Sequence, residues 1–394
     1  MAKLAILKLH PFLIHKLPFM ERFFDWRNRL IASPSFQRWA TRFPLTRWLV
    51  RKQASDIFDL MAGFVYTQVL LACTQVNLFD ILANGALSFG ELQKQTPLKP
   101  AGLRRLLDAA VAIQLLVKRS EDRYALSMKS APLVGNIAIL DMVKHHADFY
   151  RDLCDPIALL QGDKSSVALN EYWSYITPEK GAAPENLSAE TVADYSKLMA
   201  HTQSLVTDEI LDAYPMDKHH IVLDIGGGQG AFIKRLAGRY SHLTFKLFDI
   251  PGVAELSNAH FKEIGLSNRA QAVGGNFFQD PLPKGCDLAT LVRVIFDHDD
   301  VRVKQLLANV FDALNPGGTL LLAEPMAETK GFEAMGHAYF GFYLLAMGRG
   351  RPRTEAEISD LLSQAGFTDI RLLNSYMPLN AQILQCNKAG NFGP

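Results

Sequence analysis

Short apolar runs alternate with amphipathic segments from Lys218 to the end of the chain. The apolar runs predict strands at 220–225, 244–249, 270–274, 287–295, 318–324, 369–375 and 380–387. The amphipathic segments predict helices at 230–239, 253–264, 300–314 and 354–365, the last with a capping box of Thr354 and Glu357. This alternation is typical of a doubly wound α/β sheet. Only a few residues, among them 377–379, separate the last two strands. We therefore expect an antiparallel last strand, because a parallel pair needs a longer crossover.

The chain before Lys218 has the pattern of a mainly helical region. Helices are predicted at 56–80, 87–95 and 99–113, followed by a hairpin of strands at 115–119 and 123–126. Three helices and a hairpin form a winged-helix pattern, which is common in DNA-binding proteins. The third helix carries Arg104 and Arg105 but is otherwise rich in Leu, Ala and Val, so it offers few side chains that could read bases. We therefore predict a dimerisation module that forms a homodimer and binds no nucleic acid. A transcriptional regulator remains the alternative from another functional class.

Residues 132–215 are also predicted to be mainly helical, with loops near 161–167 and 177–188. A chain of 394 residues fits two domains and an extension. The predicted divisions are an N-terminal extension (residues 1–54), a winged-helix dimerisation and substrate-lining domain (55–215) and a catalytic domain (216–394).

Composition and charge narrow the functional classes. The chain is 48% hydrophobic and 21% charged, which is typical of a soluble protein with a core, and its net charge of +1 argues against a general polyanion binder. No apolar run of about 18 residues is evident, so we expect no transmembrane helix. The four cysteines are scattered without a close pair, which favours a reducing cytoplasm and predicts no metal site.

The N-terminal extension differs from the rest of the chain. It holds eleven Lys or Arg and two acidic residues, a net charge of +9, interleaved with nine Phe or Trp. Basic, aromatic, amphipathic segments lie on membrane surfaces, with rings at the headgroup level and cations near anionic lipid. Aromatic residues also build protein interfaces, so a contact with a partner subunit remains the alternative. The expected location is the cytoplasm, with peripheral contact to the inner membrane.

A glycine loop follows the first predicted strand of the catalytic domain, at Gly226–Gly230. Glycines let a backbone approach a ligand at the N-terminus of a helix. The spacing Gly226-x-Gly228-x-x-Ala231 also fits the dinucleotide fingerprint of NAD dehydrogenases. Asp224 favours a different ligand, since its carboxylate can meet the ammonium group of a methionine moiety but would face the pyrophosphate of NAD.

Later strand ends carry side chains suited to the rest of S-adenosylmethionine. Asp249 would accept hydrogen bonds from the ribose hydroxyls, Asn276 would meet the adenine amino group, and Phe277 would pack on the adenine ring. The sequence therefore predicts a methyltransferase that uses S-adenosylmethionine. The residues assigned to this site are Asp224, Gly226, Gly228, Asp249, Asn276, Phe277 and Arg293.

In six stretches the sequence resembles the plant-type small-molecule O-methyltransferases. They are 223–228, 248–251, 274–278, 293–297, 315–318 and 353–355. The resemblance implies a winged-helix dimerisation domain ahead of a Rossmann-like catalytic domain. Further stretches, 29–33, 36–40, 150–153 and 155–160, resemble the carotenoid hydroxyl O-methyltransferases of purple photosynthetic bacteria. That closer resemblance implies methylation of the tertiary hydroxyl of an acyclic carotenoid, a hydrophobic small molecule.

Two positions depart from the plant-type pattern. The family's catalytic His in a His-Asp-Trp motif corresponds to Phe296, and His298 stands at the Trp position. The adenine-binding Asp corresponds to Asn276, whose amide oxygen can still accept a hydrogen bond.

The proton acceptor is therefore an open question on sequence grounds. His298 is the first candidate, because the neighbouring acids would favour its protonated form; alternatively, this acidic run caps the helix from about 300 and His298 is only packed. His337 is the second candidate, on an apolar helix suited to a polyene pocket or to a core. His145 and His146 are third. Glu324 matches the acid that orients the family's base, and here it would bond the substrate hydroxyl or orient another His.

Two other acceptors remain open. One is a phenolic or polyketide oxygen, against which Phe296 argues because phenol methylation in this family relies on the missing His. The other is a tetrapyrrole carbon, which some relatives methylate without that His.

Overall fold

The computed structural model describes residues 18–162, 169 and 203–390. They belong to two compact units, Met1–Ser127 and Met128–Pro394. The predicted boundary between residues 54 and 55 lies inside a continuous helix, and the predicted boundary at residue 215 lies within the second unit. The predicted loop at 177–188 and most of the one near 161–167 lie outside the described residues.

The first unit is mainly helical, as predicted. Its helices are α1 (Pro18–Ala32), α2 (Pro34–Arg42), α3 (Pro44–Gln75), α4 (Leu78–Ile81), α5 (Phe89–Gln95) and α6 (Pro100–Ala112). Pro34, Pro44 and Pro100 each stand at a helix start, where the missing N–H removes no helical hydrogen bond. Helix α3 is longer than the predicted 56–80 segment because it incorporates residues that the sequence placed in the extension.

The winged-helix pattern closes with three strands in the order β1, β3, β2, all antiparallel. They are β1 (Leu87–Ser88), β2 (Leu116–Arg119) and β3 (Arg123–Leu126). The predicted hairpin is confirmed. Arg104 of α6 pairs with Asp122 at 2.7 Å, and its guanidinium lies 3.9 Å from the centroid of the Phe89 ring. This cation is engaged inside the fold, which weighs against a role in reading DNA.

Helix α3 leaves much of its apolar surface exposed. It is the one helix among the described residues that is long and apolar enough to cross a membrane, judged by length and composition. The sequence predicted no such helix, because Asp56 and Asp59 interrupt its apolar run. Core helices of soluble proteins pass the same test, so this finding does not by itself assign a membrane span.

The second unit contains a seven-stranded sheet in the order β6-β5-β4-β7-β8-β10-β9. Its strands are β4 (Ile221–Ile225), β5 (Thr244–Asp249), β6 (Ala270–Gly274), β7 (Cys286–Val292), β8 (Leu314–Glu324), β9 (Thr368–Leu373) and β10 (Gln382–Asn387). Only β10 runs against the others, since it pairs antiparallel with both β8 and β9. The predicted doubly wound sheet and its antiparallel last strand are confirmed.

Helices of the second unit lie between the strands and ahead of the sheet. They are α7 (Ile137–Asp152), α8 (Pro156–Leu160), α9 (203–213), α10 (Ala231–Arg239), α11 (Pro251–Glu263), α12 (Asp300–Ala313), α13 (Gly341–Met347) and α14 (Glu355–Gln364). The capping box at Thr354 and Glu357 is present and starts α14 as predicted.

Two apolar cores cover the two faces of the sheet. One joins β4, β7 and β8 to α12 and α14, and the other joins β4 and β5 to α9, α10 and α11. The strand order turns from descending to ascending between β4 and β7, which are hydrogen-bonded neighbours. Ligands of doubly wound sheets bind at the carboxyl ends of the strands at such a switch point. The glycine loop after β4 lies at that place.

Candidate active site

The glycine loop adopts a backbone that other residues would strain. Gly226, Gly228 and Gly230 have φ of +69°, +55° and +80°. A Cβ at Gly230 would lie 2.4 Å from the Phe261 ring of α11. A Cβ at Gly228 would meet nothing within 4 Å, so open space adjoins the loop there. The loop therefore combines a compressed inner side with an accessible outer side, as a ligand cradle requires.

Asp224 supports this loop from within the sheet. Its side chain is only 1% exposed, and Oδ1 accepts a 2.8 Å hydrogen bond from the Thr290 hydroxyl. Oδ2 accepts no hydrogen bond among the described residues, and it would lie 2.4 Å from a Cβ at Gly227. Burial is the main cause that raises the pKa of Asp224 to about 7. The predicted contact of Asp224 with a ligand ammonium stays a prediction, because the structure shows the carboxyl packed beneath the glycines.

Asp224→Asn is expected to become more stable relative to the native protein as pH rises from 4 to about 7. The folded carboxyl keeps its proton up to a pKa of about 7, against an ordinary value of 3.8. The contribution of this group to stability is therefore fully present below 3.8 and is lost as pH rises through 7, whereas an amide loses none. The stability difference between the two proteins should change by on the order of 2–4 kcal/mol between pH 4 and 8. Urea unfolding at several pH values measures it, and a difference that stays constant would contradict this account.

Asp249 at the end of β5 connects the glycine loop to α11. Its Oδ2 accepts from the N–H of Gly228 at 2.9 Å, and its Oδ1 accepts from the N–H of Ile250 at 2.8 Å. Burial raises the pKa of Asp249 to about 6, while these two hydrogen bonds oppose the rise. A carboxylate has four lone-pair sites, so both oxygens retain capacity for ribose hydroxyls. The geometry is compatible with the predicted role.

The segment after β6 carries the two residues predicted to meet adenine. Asn276 is exposed, and its side-chain oxygen accepts a 3.0 Å hydrogen bond from the N–H of Phe278. Phe277 is half-buried, and its ring lies 4.6 Å from that of Phe278 and 5.7 Å from that of His298. The amide of Asn276 thus shapes the turn as well as facing outward, which the sequence did not indicate.

These residues fit S-adenosylmethionine. The glycine loop offers backbone at the switch point, Gly228 borders open space, and Asp249 presents carboxylate oxygens. Oδ2 of Asp224, which is buried and accepts no hydrogen bond among the described residues, would be stabilised by a positively charged ligand group and destabilised by a phosphate. Among the described residues, no group of three or more His, Cys, Asp or Glu side chains is arranged to hold a metal ion.

The ends of β7 and β8 meet beside the loop. A Cβ at Gly226 would lie 2.9 Å from the Val294 side chain, which places the residues after β7 against the cofactor loop. Oε1 of Glu324, at the end of β8, accepts 2.8 Å hydrogen bonds from the N–H groups of Val294 and Ile295. Arg293 adopts the left-handed region with φ of +57°, and its guanidinium donates to the Gln203 side chain at 3.0 Å. The contact to Gln203 shows Arg293 bonded within the protein, and its predicted contact with the cofactor stays a prediction.

His298 is buried, with 8% of its surface exposed. Its ring meets the rings of Phe277 and Phe278 nearly edge to face, and its carbonyl accepts from Arg353 at 2.7 Å. Burial, reinforced by the charge of Arg302, lowers the pKa of His298 to about 4. A proton on this ring is therefore unfavourable. Asp299 does favour the protonated ring, as expected, but the desolvation of the ring outweighs it, and the role of His298 as the base stays a prediction.

His337 stands apart from these buried groups. It lies on a π-helical turn, Met335–Phe340, and its side chain is exposed. Gly336 turns the other side of this segment inward, since a Cβ there would lie 2.5 Å from the Ala327 backbone. The exposure of His337 lends no support to its predicted role as a base.

His145 and His146 of α7 are each bonded to a tyrosine. His145 Nε2 lies 2.9 Å from the Tyr343 hydroxyl, and His146 Nε2 lies 2.7 Å from the Tyr339 hydroxyl. Burial is the main cause that lowers the pKa of both histidines. These contacts favour the interpretation of satisfied, packed histidines. The tyrosines were not identified from sequence, although their spacing of four residues places them on one side of a helix.

An aromatic wall surrounds these pairs. The ring of Phe296 lies 6.0 Å from that of Phe340, and the ring of Phe149 lies 5.3 Å from that of Tyr343. Phe296 therefore occupies an apolar environment, and its ring can accept no proton.

Comparison with known proteins agrees with this geometry. Residues 169–368 match the model of the O-methyltransferase domain, and residues 58–135 match that of the O-methyltransferase dimerisation domain. The demethylspheroidene O-methyltransferase of Cereibacter sphaeroides is 36% identical over 350 residues, covering 89% of this chain and 91% of that protein. The corresponding enzyme of Rhodobacter capsulatus is 34% identical, covering 92% of this chain and 89% of that protein.

More distant proteins share the architecture. Acetylserotonin O-methyltransferase of Mus musculus is 29% identical over 337 residues, covering 83% of this chain and 87% of that protein. The crystal structure of human N-acetylserotonin methyltransferase in complex with S-adenosylmethionine superposes with a TM-score of 0.68 at 24% identity, covering 86% of this chain and 98% of that one. The dimerisation domain indicates a homodimer. The chain belongs to the O-methyltransferase family, whose members transfer the methyl group of S-adenosylmethionine.

Proposed function

We propose that this enzyme methylates the tertiary hydroxyl at the end of an acyclic carotenoid. The observation that carries the proposal is the similarity, along nearly the whole chain, to two demethylspheroidene O-methyltransferases. Position 296 agrees with it, since a Phe stands where phenol-methylating relatives are expected to carry a base. A tertiary alcohol holds its proton too tightly for an imidazole to remove it in advance, so a base can take that proton only as the C–O bond forms. A histidine at position 296 would therefore accelerate this reaction less than it accelerates methylation of a phenol.

The residues of the site divide the work of binding and orientation. S-adenosylmethionine, when bound, supplies an electrophilic methyl group on a sulfonium. Asp249 and the glycine loop would hold the ribose and its neighbours, while Asn276 and Phe277 would face the adenine. The aromatic wall would hold the polyene so that its hydroxyl approaches the methyl carbon in line. Such positioning supplies roughly 7–11 kcal/mol of barrier lowering.

The aromatic wall suits a long apolar acceptor. Each ring of the wall lies within about 6 Å of at least one other; the members are Phe149, Phe296, Tyr339, Phe340 and Tyr343. The tyrosine hydroxyls are bonded to histidines, which leaves ring faces rather than free polar groups for contact.

The decisive experiment supplies purified protein with labelled S-adenosylmethionine and three acceptors in parallel: an acyclic carotenoid with a terminal tertiary hydroxyl, a simple phenol and a tetrapyrrole. We expect a methyl ether on the carotenoid, detected by mass spectrometry. Methylation of the phenol or tetrapyrrole without methylation of the carotenoid would overturn the proposed acceptor and leave the family assignment standing.

The N-terminal extension would bring the enzyme to the membrane in which such an acceptor resides. Residues 18–54 hold eight basic and two acidic residues, a net charge of +6. Trp26, Trp39 and Trp48 are 56%, 51% and 63% exposed. On α2, Trp39 stacks on Phe43 with centroids 5.0 Å apart, which forms an aromatic stripe. The family's dimerisation domain begins only at residue 58, so it does not account for these rings. The occupant that matches their charge and chemistry is an anionic bilayer on the cytoplasmic side.

Replacing Trp26, Trp39 and Trp48 together by Ser is expected to lower binding to vesicles rich in anionic lipid by at least about tenfold, because three interfacial rings are lost. Co-sedimentation with vesicles measures the effect. The matched control is Tyr376→Ser, which removes a ring that is 85% exposed in the second unit. If the native protein does not bind the vesicles, the membrane proposal is wrong. If the triple variant loses its dimer instead of its vesicle binding, the extension is a subunit contact and the membrane proposal is also wrong.

A further inference from the structure

The proton of the acceptor hydroxyl has no histidine to receive it at position 296. The candidate histidines nearby are poorly suited: His298 is packed between phenylalanine rings, and His145 and His146 are bonded to tyrosines. Other buried polar groups lie at the carboxyl ends of β7 and β8, next to the cofactor loop.

Two carboxyl groups there each have an oxygen without a hydrogen-bond partner among the described residues. Oδ1 of Asp297 and Oε2 of Glu324 are buried and accept no hydrogen bond among the described residues. Glu324 is 1% exposed as a whole, and its other oxygen holds the backbone after β7 in place. An unsatisfied buried carboxyl oxygen is costly, so two of them at or after the ends of neighbouring parallel strands call for an explanation.

Their position connects them to the reaction. Asp297 directly follows Phe296, and Glu324 bonds the N–H of Val294, whose side chain touches the glycine loop. Residues beside the pair therefore contact both the cofactor loop, through Val294, and the aromatic wall, through Phe296. The family arrangement uses the acid equivalent to Glu324 only to orient a histidine.

We propose that the carboxyls of Asp297 and Glu324 act as the proton acceptor for the acceptor hydroxyl during methyl transfer, the ionised one of the two taking the proton. As the hydroxyl oxygen bonds to the methyl carbon, the carbon–sulfur bond breaks and its electron pair stays on sulfur. The O–H proton passes to the ionised member of the pair, so that the two carboxyls together then carry two protons and no charge. The proton later leaves to solvent. This role deepens the proposed function, on which it rests for its alcohol acceptor.

Burial and the surrounding charges favour a state in which one of the two carboxyls is protonated and the other is ionised. Burial is the main cause that raises the pKa of Glu324, to about 8, and burial together with the charge of Glu324 raises the pKa of Asp297 well above its ordinary value. The charged groups that face the pair are Arg293, which acts on both carboxyls, and Arg353, which acts on Glu324; both favour ionisation. Two buried carboxyls under these influences resist double ionisation, as in other carboxyl dyads.

The test compares Asp297→Asn and Glu324→Gln with the native enzyme in single-turnover assays across pH. Both replacements keep the size of the side chain, and in Glu324→Gln the amide oxygen could still accept from Val294 and Ile295. We expect each variant to lose at least about 100-fold in rate while its affinity for S-adenosylmethionine stays within a few-fold. In Glu324→Gln, the pH profile should show one ionisation in place of two, because the repulsion that delays the second ionisation of the pair is removed.

Asp299→Asn is the control for both variants. The side chain of Asp299 caps α12 by accepting from the N–H of Arg302 at 3.0 Å. Asn is an equally good cap, so the rate should be unchanged.

A structural role would lower the rate and leave both ionisations in the pH profile, and that result would overturn the proposal, as would near-native rates in both variants. Infrared difference spectra between acid and alkaline pH give a readout without any acceptor, since a protonated carboxyl band should change in both variants but not in Asp299→Asn. If the native enzyme methylates a phenol instead of the carotenoid, the acceptor proposal fails, and the variants are then compared on that phenol. A failure of the proposed acceptor molecule can therefore be distinguished from a failure of the proposed role of Asp297 and Glu324.

Discussion

Gly350→Ala is expected to lower methyl transfer by at least about 100-fold while the protein remains folded. A Cβ at Gly350 would lie 2.1 Å from the carbonyl oxygen of Phe296 and 2.8 Å from the Cα of Asp297. These are backbone atoms, so the segment after β7 would have to shift as a whole. The φ of +85° at Gly350 adds strain for any side chain. The displaced segment contains Asp297, which would move out of register with Glu324.

Gly341→Ala provides the control for this prediction. Gly341 starts α13, has φ of −57°, and a Cβ there would meet only one atom, the Gly336 carbonyl oxygen, at 3.9 Å. Alanine in an unstrained helix should be neutral or slightly stabilising. Turnover, cofactor affinity and thermal unfolding are measured for both variants. Equal turnover in the two would show that the contact between Gly350 and the segment after β7 does not position the site.

Arg353→Met is expected to lower the free energy of unfolding by roughly 2–4 kcal/mol and to impair turnover. The Arg353 side chain is 1% exposed and donates to the carbonyls of Ile295 and His298 at 2.8 and 2.7 Å. It also bonds Asp300 at the start of α12. Methionine fills a similar volume but removes every donor that Arg353 supplies: the His298 carbonyl loses its bond to the guanidinium, and the Ile295 carbonyl keeps only the N–H of His298. An unsatisfied buried acceptor costs about 1–3 kcal/mol, and the bonds to Asp300 are lost as well.

Arg351→Met separates burial from charge. Arg351 bonds the same Asp300, at 3.0 Å, and also Glu357, but its side chain is 42% exposed. Exposed ion pairs contribute about 0–1 kcal/mol, so this variant should unfold near the native denaturant concentration. A loss as large as that of Arg353→Met would mean that the ion pairs to Asp300, and not the buried carbonyls, stabilise the segment.

Predictions that depend on local periodicity agreed closely with the structure. Strand β5 lies at the predicted residues, and the capping box that starts α14 is present. Such features are set by residues a few positions apart, which the sequence displays directly. The glycine loop is another case, because its backbone conformation depends on the absence of side chains at Gly226, Gly228 and Gly230.

Element boundaries and the contact partners of side chains were harder to predict from the sequence. The predicted division at residue 54 lies inside α3, and no local signal ends that helix before Gln75. Asn276 turned out to cap its own turn, and His298 turned out to be desolvated rather than held in a field of acids. Both outcomes depend on which groups pack around a side chain, and sequence spacing does not report packing.

The sequence by itself determined the order of strands and helices, the loop that receives the cofactor, and the loss of the family's base at Phe296. Only the tertiary structure brought Glu324 against the segment that follows β7 and left one oxygen of each carboxyl in the pair buried and without a partner among the described residues. Asp297 and Glu324 lie 27 positions apart, at the ends of strands that pair in parallel. Their proximity arises because β7 and β8 are neighbours in the sheet, and burial there changes the chemistry of both groups.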